Sequence, residues 1–156
     1  MTVAIRLARP TDLEFLVEGI ARLVAETEGR DLDRELLAEG VAAVFGDESK
    51  GRYYIADDGE EPIGQLLVTR EWSDGRAGWF WWLASVYVVP VARGRGVFTS
   101  LYGYVLAEAH RDPEVCGVRL YVDEDNEAAA AVYRRCGMRD GGYRIFEEDF
   151  RLAAAV

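Results

Sequence analysis

The stretch from Ser85 to Tyr102 constrains this chain more than any other. It opens with Ser85-Val86-Tyr87-Val88-Val89-Pro90, a β-branched and aromatic run closed by a proline. Such a run predicts a buried strand, because proline cannot donate to a ladder and so marks its end. Val91-Ala92-Arg93-Gly94-Arg95-Gly96-Val97-Phe98 follows as a basic glycine turn. Beyond it, Phe98, Leu101, Tyr102, Val105, Leu106 and Ala109 fall at helical spacing. Glycine at 94 and 96 lets the backbone turn sharply or approach a ligand closely. The unpaired N–H groups of the new helix face that space with the positive end of the helix dipole behind them. Arg93 and Arg95 add mobile positive charge, so the stretch reads as an anion site, most naturally for a phosphate or pyrophosphate, or simply as a strand-to-helix connection. It is not a P-loop, since no Gly-Lys-Ser/Thr follows, nor a dinucleotide fingerprint, since Thr99 stands where the third glycine belongs.

The rest of the chain supplies strands and helices around that stretch. Val3 to Leu7 alternates as a first strand, and Thr11 with Glu14 has the spacing of a capping box. Leu13, Leu16, Val17, Ile20, Leu23 and Val24 mark the inner face of a helix reaching about Glu26. A polar elbow, Glu26 to Asp31, leads to a second helix over Asp33 to Phe45. Strands over Arg52–Ala56 and Pro62–Thr69 flank the hairpin signal Asp57-Asp58-Gly59-Glu60. Gly78 to Val89 is apolar at nearly every position, so both faces of that strand are expected to be covered. The long helix ends near Arg111, and Val118 to Val122 reads as the next strand. That crossover implies a parallel pair with the Val86 strand. Asp125 starts a short helix over Asn126 to Cys136, Gly137 ends it, and alternation from Gly141 to Phe150 predicts a terminal strand.

Composition sets bounds on function. At 156 residues the chain suits a single domain, 1–156, with a sizeable core. No apolar run reaches the length of a membrane span, and the amino terminus lacks the pattern of a secretory signal. Cys116 and Cys136 lack the spacing and histidine partners of a zinc site, so no metal is expected. They read as reduced, buried thiols of a cytoplasmic protein. A net charge of −10 argues against nucleic acid as the main partner and suits a cationic small molecule or basic peptide.

The order of elements resembles the GNAT superfamily of N-acetyltransferases across nearly the whole chain. The residues that carry the resemblance are Val86-Tyr87-Val88, Arg93-Gly94-Arg95-Gly96, and the block from Asp125-Asn126-Glu127-Ala128 through Tyr133 to Cys136-Gly137-Met138. The resemblance implies a mixed α/β, three-layer fold. Its sheet is mostly antiparallel with one splayed parallel strand pair, and helices lie on both faces. It implies acetyl-CoA as donor, a primary amine of a small molecule or peptide as acceptor, and admits a homodimer. In such a fold the pantetheine arm pairs with backbone near Val86, Tyr87 and Val88, and the Val88 N–H polarises the thioester carbonyl. The pyrophosphate rests on amides from Gly94 through Arg95, Gly96 and Val97 to Phe98. Asn126 hydrogen-bonds a pantetheine amide or simply starts its helix. Tyr133, on the same helix face, protonates the departing thiolate or serves as a core aromatic.

Two departures mark this sequence. Phe98 stands where the family usually has a second glycine or alanine, so the helix must pack differently around the turn. Some members carry a glutamate base midway along the long strand, where this chain has Trp79-Phe80-Trp81-Trp82. The base is then sought among Glu71, Glu28 and Asp74, loop carboxylates that also suit a solvated surface. The aromatic cluster with Trp72 and Tyr87 reads mainly as sheet core, with one or two rings available to an acceptor cavity. Two other readings stay open: an acyl-CoA-binding sensor without turnover, and a nucleotide-binding regulatory domain.

Overall fold

Tyr53, Tyr54, Ile55 and Ala56 are all buried. Consecutive strand residues point to opposite faces, so this run requires a layer on each side of the sheet. In the computed structural model, which describes residues 2–151, those layers are helical. The chain forms two compact units, Met1–Tyr121 and Val122–Val156. The first contains β1 (Ala4–Leu7), α1 (Leu13–Glu28), α2 (Arg34–Gly46), β2 (Arg52–Asp57), β3 (Pro62–Ser73), β4 (Gly78–Val88), α3 (Val97–Arg111) and β5 (Val115–Leu120). The second contains α4 (Glu127–Arg135).

The strands form one sheet in the order β1-β2-β3-β4-β5. The first four run antiparallel to their neighbours, and β4 pairs with β5 in parallel, as the crossover through α3 demands. On one face Leu16 and Ile20 of α1 and Val41 of α2 pack on Tyr53 and Ile55. The opposite face carries α3, tied to β2 by a 2.7 Å hydrogen bond donated by the Tyr54 hydroxyl to Glu108. At the start of α3, Val97 presses so closely on β3 that a Cβ at Gly64 would stand 2.9 Å from its Cγ1. The first unit is thus the expected mixed, mainly antiparallel three-layer arrangement.

Several local readings are corrected. The Thr11–Glu14 capping box does not form: Pro10–Asp12 is a 3-10 turn and α1 begins at Leu13. Asp12 takes the capping role in another way, accepting from the Arg9 N–H at 2.7 Å and from both terminal nitrogens of Arg6 at 2.8 and 3.0 Å. The fifth strand starts at Val115, earlier than Val118, because the parallel ladder engages Trp79 with Val115 and Phe80 with Gly117. Gly117 lies directly under the Phe80 ring, where a Cβ would meet Cε1 at 2.6 Å. Cys116 and Cys136 are free thiols but only half-buried.

No strand forms between Gly141 and Phe150. Asp140 instead accepts from the Gly142 N–H in a turn, and Tyr143, Ile145, Phe146 and Phe150 are exposed, Phe146 to 95%. Alternation makes a strand only where a second backbone completes its ladder. Among the described residues none does so for this segment.

The Arg6–Asp12 pair joins β1 to the start of α1 with little access to water. Hydrogen bonds from Arg6, chiefly, hold the Asp12 carboxyl below the usual carboxylate range. Its stabilisation is complete above the unfolded-state pKa of ~3.9 and fades as the pH falls through the lower folded value. Asp12→Asn is expected to cost about 2 kcal/mol at pH 7. Urea unfolding at pH 7 and near pH 3 checks this: the gap between variant and parent should narrow in acid.

Candidate functional site

β4 carries two ladders along its first half and one along its second. Its parallel pairing with β5 ends at Leu83 opposite Leu120. Its antiparallel pairing with β3 continues to Val88 opposite Gly64, but the register shifts on the way. Gln65 faces Tyr87 and Leu67 faces Ala84, which leaves Ser85 and Val86 opposite the single residue Leu66. This is a β-bulge, with Ser85 in the left-handed region at φ +51°. A non-glycine residue held there costs roughly 1–2 kcal/mol. Past the bulge the Val89 N–H donates to Ile63 of β3 at 3.0 Å. Strand alternation therefore turns the N–H and carbonyl of Val88 to the opposite side, where β5 no longer pairs.

The strand leads through a 3-10 turn, Pro90–Ala92, into Arg93-Gly94-Arg95-Gly96. Gly94 and Gly96 have φ +74° and +78°. A Cβ at either would meet open space, so glycine is required here by conformation and not by crowding. Gly96 is the N-cap of α3, and the first bond of the helix runs from the Ser100 N–H to the Gly96 carbonyl at 2.9 Å. The N–H groups of Val97, Phe98 and Thr99 precede that bond and are the orphan donors of the helix start. Phe98 stacks on Tyr102 one turn along α3, ring centroids 6.0 Å apart at 22°, so its ring lies along the helix flank.

The two arginines differ. Arg93 is no mobile charge: its Nε donates to the Val88 carbonyl at 2.9 Å and its Nη2 to both Glu26 oxygens at 3.1 and 2.9 Å. Its guanidinium also lies 5.4 Å from the centre of the Tyr87 ring. Arg95 is exposed and makes no ion pair among the described residues, so it supplies the available positive charge of the turn. Tyr87 is buried, and its hydroxyl has no partner in hydrogen-bond geometry. The Arg22 guanidinium is near enough to feel that oxygen, but its main partner is Glu18 at 2.6 Å.

In the second unit Asn126 caps α4, its side chain accepting from the Ala129 N–H at 3.1 Å. The helix-start role is therefore realised, and the cap lies at Asn126, not at Asp125. Tyr133 lies half-buried seven residues on, and burial, with Cys136 adding to it, raises its phenol pKa. It stays protonated throughout the neutral range.

Each candidate base has another occupation. Glu28 ends α1 and pairs with Arg30, and the Asp74 side chain accepts from the Gly75 N–H at 2.7 Å within a turn. Glu71 pairs with Arg119 at 3.0 Å. It also sits six residues from Gln65 along β3, roughly 20 Å from the bulge at strand rise. Alternation places Trp82 on the α1 side of the sheet, its ring 4.4 Å from Tyr121. Trp72 is on the other side against Trp79, 5.0 Å away, so the two rings cannot line one acceptor cavity. A cavity of about 30 Å³ among Tyr54, Arg52, Arg70 and Trp81 lies near the beginning of β4. It holds about one water and is distant from the glycine turn.

Residues 17–138 match the model of the acetyltransferase (GNAT) family. This chain belongs to that family. It is 36% identical to a possible acetyltransferase from Clostridium difficile 630, whose crystal structure superposes with a TM-score of 0.88 over 96% of this chain and 98% of that one. It is 32% identical over 144 residues to a mycothiol acetyltransferase of Mycolicibacterium gilvum (strain PYR-GCK), covering 80% of this chain and 46% of that protein. The chain thus spans about half the length of that curated relative. A predicted acetyltransferase from Clostridium acetobutylicum, solved with acetyl-CoA, shares the fold at 17% identity, with a TM-score of 0.75 over 94% of this chain and 96% of that one.

For a GNAT chain, two residues of this site gave no signal in the sequence. Glu26 reads as one acid of a polar elbow, yet it clamps Arg93 from α1. Gln65 interrupts the apolar run of β3 and is fully buried. The conformational role of the glycines is checked directly. Gly94→Ala and Gly96→Ala are each expected to lower stability by about 1 kcal/mol despite the open space around them. Urea denaturation of the two variants measures this, and unchanged stability would show that the turn accepts ordinary residues.

Proposed function

We propose that this chain moves an acetyl group from acetyl-CoA to a primary amine of a small molecule or peptide, by direct attack in a ternary complex. The observation that carries the reading is the side of β4 that no strand pairs between Leu83 and the glycine turn, where Arg93 takes the Val88 carbonyl, ending at the open start of α3. An extended pantetheine arm offers amides of its own and can pair with Val86–Val88 as an added strand would. The pyrophosphate then meets the N–H groups of Val97, Phe98 and Thr99, with Arg95 beside them. The Val88 N–H points to the side where the thioester carbonyl would lie and serves as an oxyanion donor. The acetyl-CoA held by the Clostridium acetobutylicum neighbour supports the donor. The family match runs across the boundary between the two compact units, which supports reading both as one catalytic domain.

Attack needs a free amine, and an alkylammonium has a reference pKa near ~10.4. With Glu28 and Glu71 in ion pairs, water is the assigned acceptor of that proton. Tyr133 is assigned as the acid that protonates the departing thiolate, and its raised pKa keeps the proton in place until then. The same lack of a carboxylate on Trp79-Phe80-Trp81-Trp82 favours the second reading, a sensor that binds acyl-CoA without turnover.

Calorimetric titration with acetyl-CoA tests the donor. The parent should bind, and Arg95→Ala should weaken binding about fivefold, roughly 1 kcal/mol, without loss of stability. Absence of binding to the folded parent removes the acetyltransferase reading for this chain. Thiol release across a panel of amines then separates enzyme from sensor. Tyr133→Phe should lower kcat about 100-fold while leaving donor affinity intact.

A further inference from the structure

Gln65 is 0% exposed, in the middle of a sheet whose other buried positions are almost all apolar. Its Nε2 lies 3.4 Å from the Leu16 carbonyl of α1 and 3.4 Å from the Ser85 carbonyl in the bulge. Two acceptors on one side fix which way the amide faces, and Oε1 is left without a hydrogen-bond partner. Gly19 permits the arrangement, since a Cβ there would stand 2.3 Å from Oε1. Two long hydrogen bonds and one unpartnered oxygen make a poor exchange for an apolar side chain at a fully buried site. Stability alone therefore does not account for an amide at this position. An amide can, however, hold the carbonyl of a residue kept in a strained conformation, and Ser85 is such a residue at φ +51°.

We propose that Gln65 is a positioning residue: it pins the Ser85 bulge, and the bulge aims the backbone of Val86–Val88. The cross-strand geometry supports this role. Gln65 pairs with Tyr87, the residue just beyond the bulge, and the β4–β5 ladder ends at Leu83, just before it. The carbonyl that Gln65 reaches thus lies where β4 leaves β5. Through the Leu16 carbonyl the same amide ties the bulge to α1, whose other end holds Arg93 through Glu26. Without Gln65, Ser85 relaxes toward extended geometry, and a regular strand would turn its following N–H groups by one residue. That slip moves the Val88 N–H away from the open side. The inference rests on the acetyl-CoA reading for its functional consequence, but its structural content is independent of the donor.

The test is a cycle of Gln65→Met, Ser85→Gly and the double variant, with Gln65→Leu as a second replacement. Methionine keeps the shape without the amide, and glycine adopts φ +51° freely, so Ser85→Gly should remove the need for Gln65. Donor affinity is read by calorimetry with acetyl-CoA, and the bulge by backbone amide NMR shifts of Ser85 to Val88. Gln65→Met or Gln65→Leu should weaken acetyl-CoA binding at least tenfold and shift those amides. Ser85→Gly alone should bind within twofold of the parent, and the double variant should recover both affinity and spectrum. Parent-like affinity and amide shifts in both Gln65 variants overturn the inference, as does a double variant no better than its Gln65 single. A Gln65 variant that fails to fold and is not recovered by Ser85→Gly overturns it too. If the parent itself binds no acetyl-CoA, the donor reading fails, while the amide shifts still decide the role of Gln65.

Discussion

The backbone of β4 has two neighbours that cannot both be followed to its end. A strand exposes its N–H and C=O groups on two sides, and burial demands that both sides be satisfied. Up to Leu83 they are, by β3 on one side and β5 on the other. Beyond Leu83 only β3 remains, and the bulge at Ser85 and Val86 bends β4 as the parallel ladder ends. The cost is a row of backbone groups with no ladder on one side. In a structural strand this row would be a liability, open to pairing with any passing edge. In the proposed reaction it is the feature to which an extended, amide-bearing donor is complementary.

The remaining parts of the site hold that edge in place. Val97 against Gly64 fixes where α3 begins relative to β3, so the helix start and the strand edge are set by one packing contact. Arg93 closes the arrangement from the other side, spanning the Val88 carbonyl and the Glu26 carboxylate. Its partners are exposed, so the pair adds little stability by itself. Its value is geometric, because one planar group ties the end of β4 to the end of α1. Arg95, two residues on, is left to meet an anion.

Elements with strong local patterns were legible in the sequence, and those set by partners were not. The helix after Gly96 was readable because its start needs two left-handed residues and glycine stands at both. The parallel pairing of β4 and β5 followed from the length of the crossover. The bulge was not readable, since serine carries no sign of positive φ and only Gln65 on another strand explains it. Nor was the clamp on Arg93, which spans 67 residues of sequence. The segment from Gly141 to Phe150 failed in the opposite direction. Its alternation is genuine, but pairing is a property of two backbones, and one sequence pattern describes only one of them.

Acyl transfer to an amine takes a proton from the nucleophile and gives one to the leaving group, and this chain is unequal in the two tasks. For giving, Tyr133 is the acid assigned in the proposed reaction, and burial, by raising its pKa, keeps it protonated at neutral pH. For taking, the candidate carboxylates are spoken for: Glu71 by Arg119, Glu28 by Arg30, and Asp74 by the Gly75 N–H. The net charge of −10 does not change this, as acidity spread over a surface is not a base at a reacting atom. The long strand reinforces the imbalance, because Trp79-Phe80-Trp81-Trp82 brings no carboxylate. In the proposed reaction such a site favours an acceptor that arrives unprotonated. Weakly basic amines meet that requirement without help from the protein.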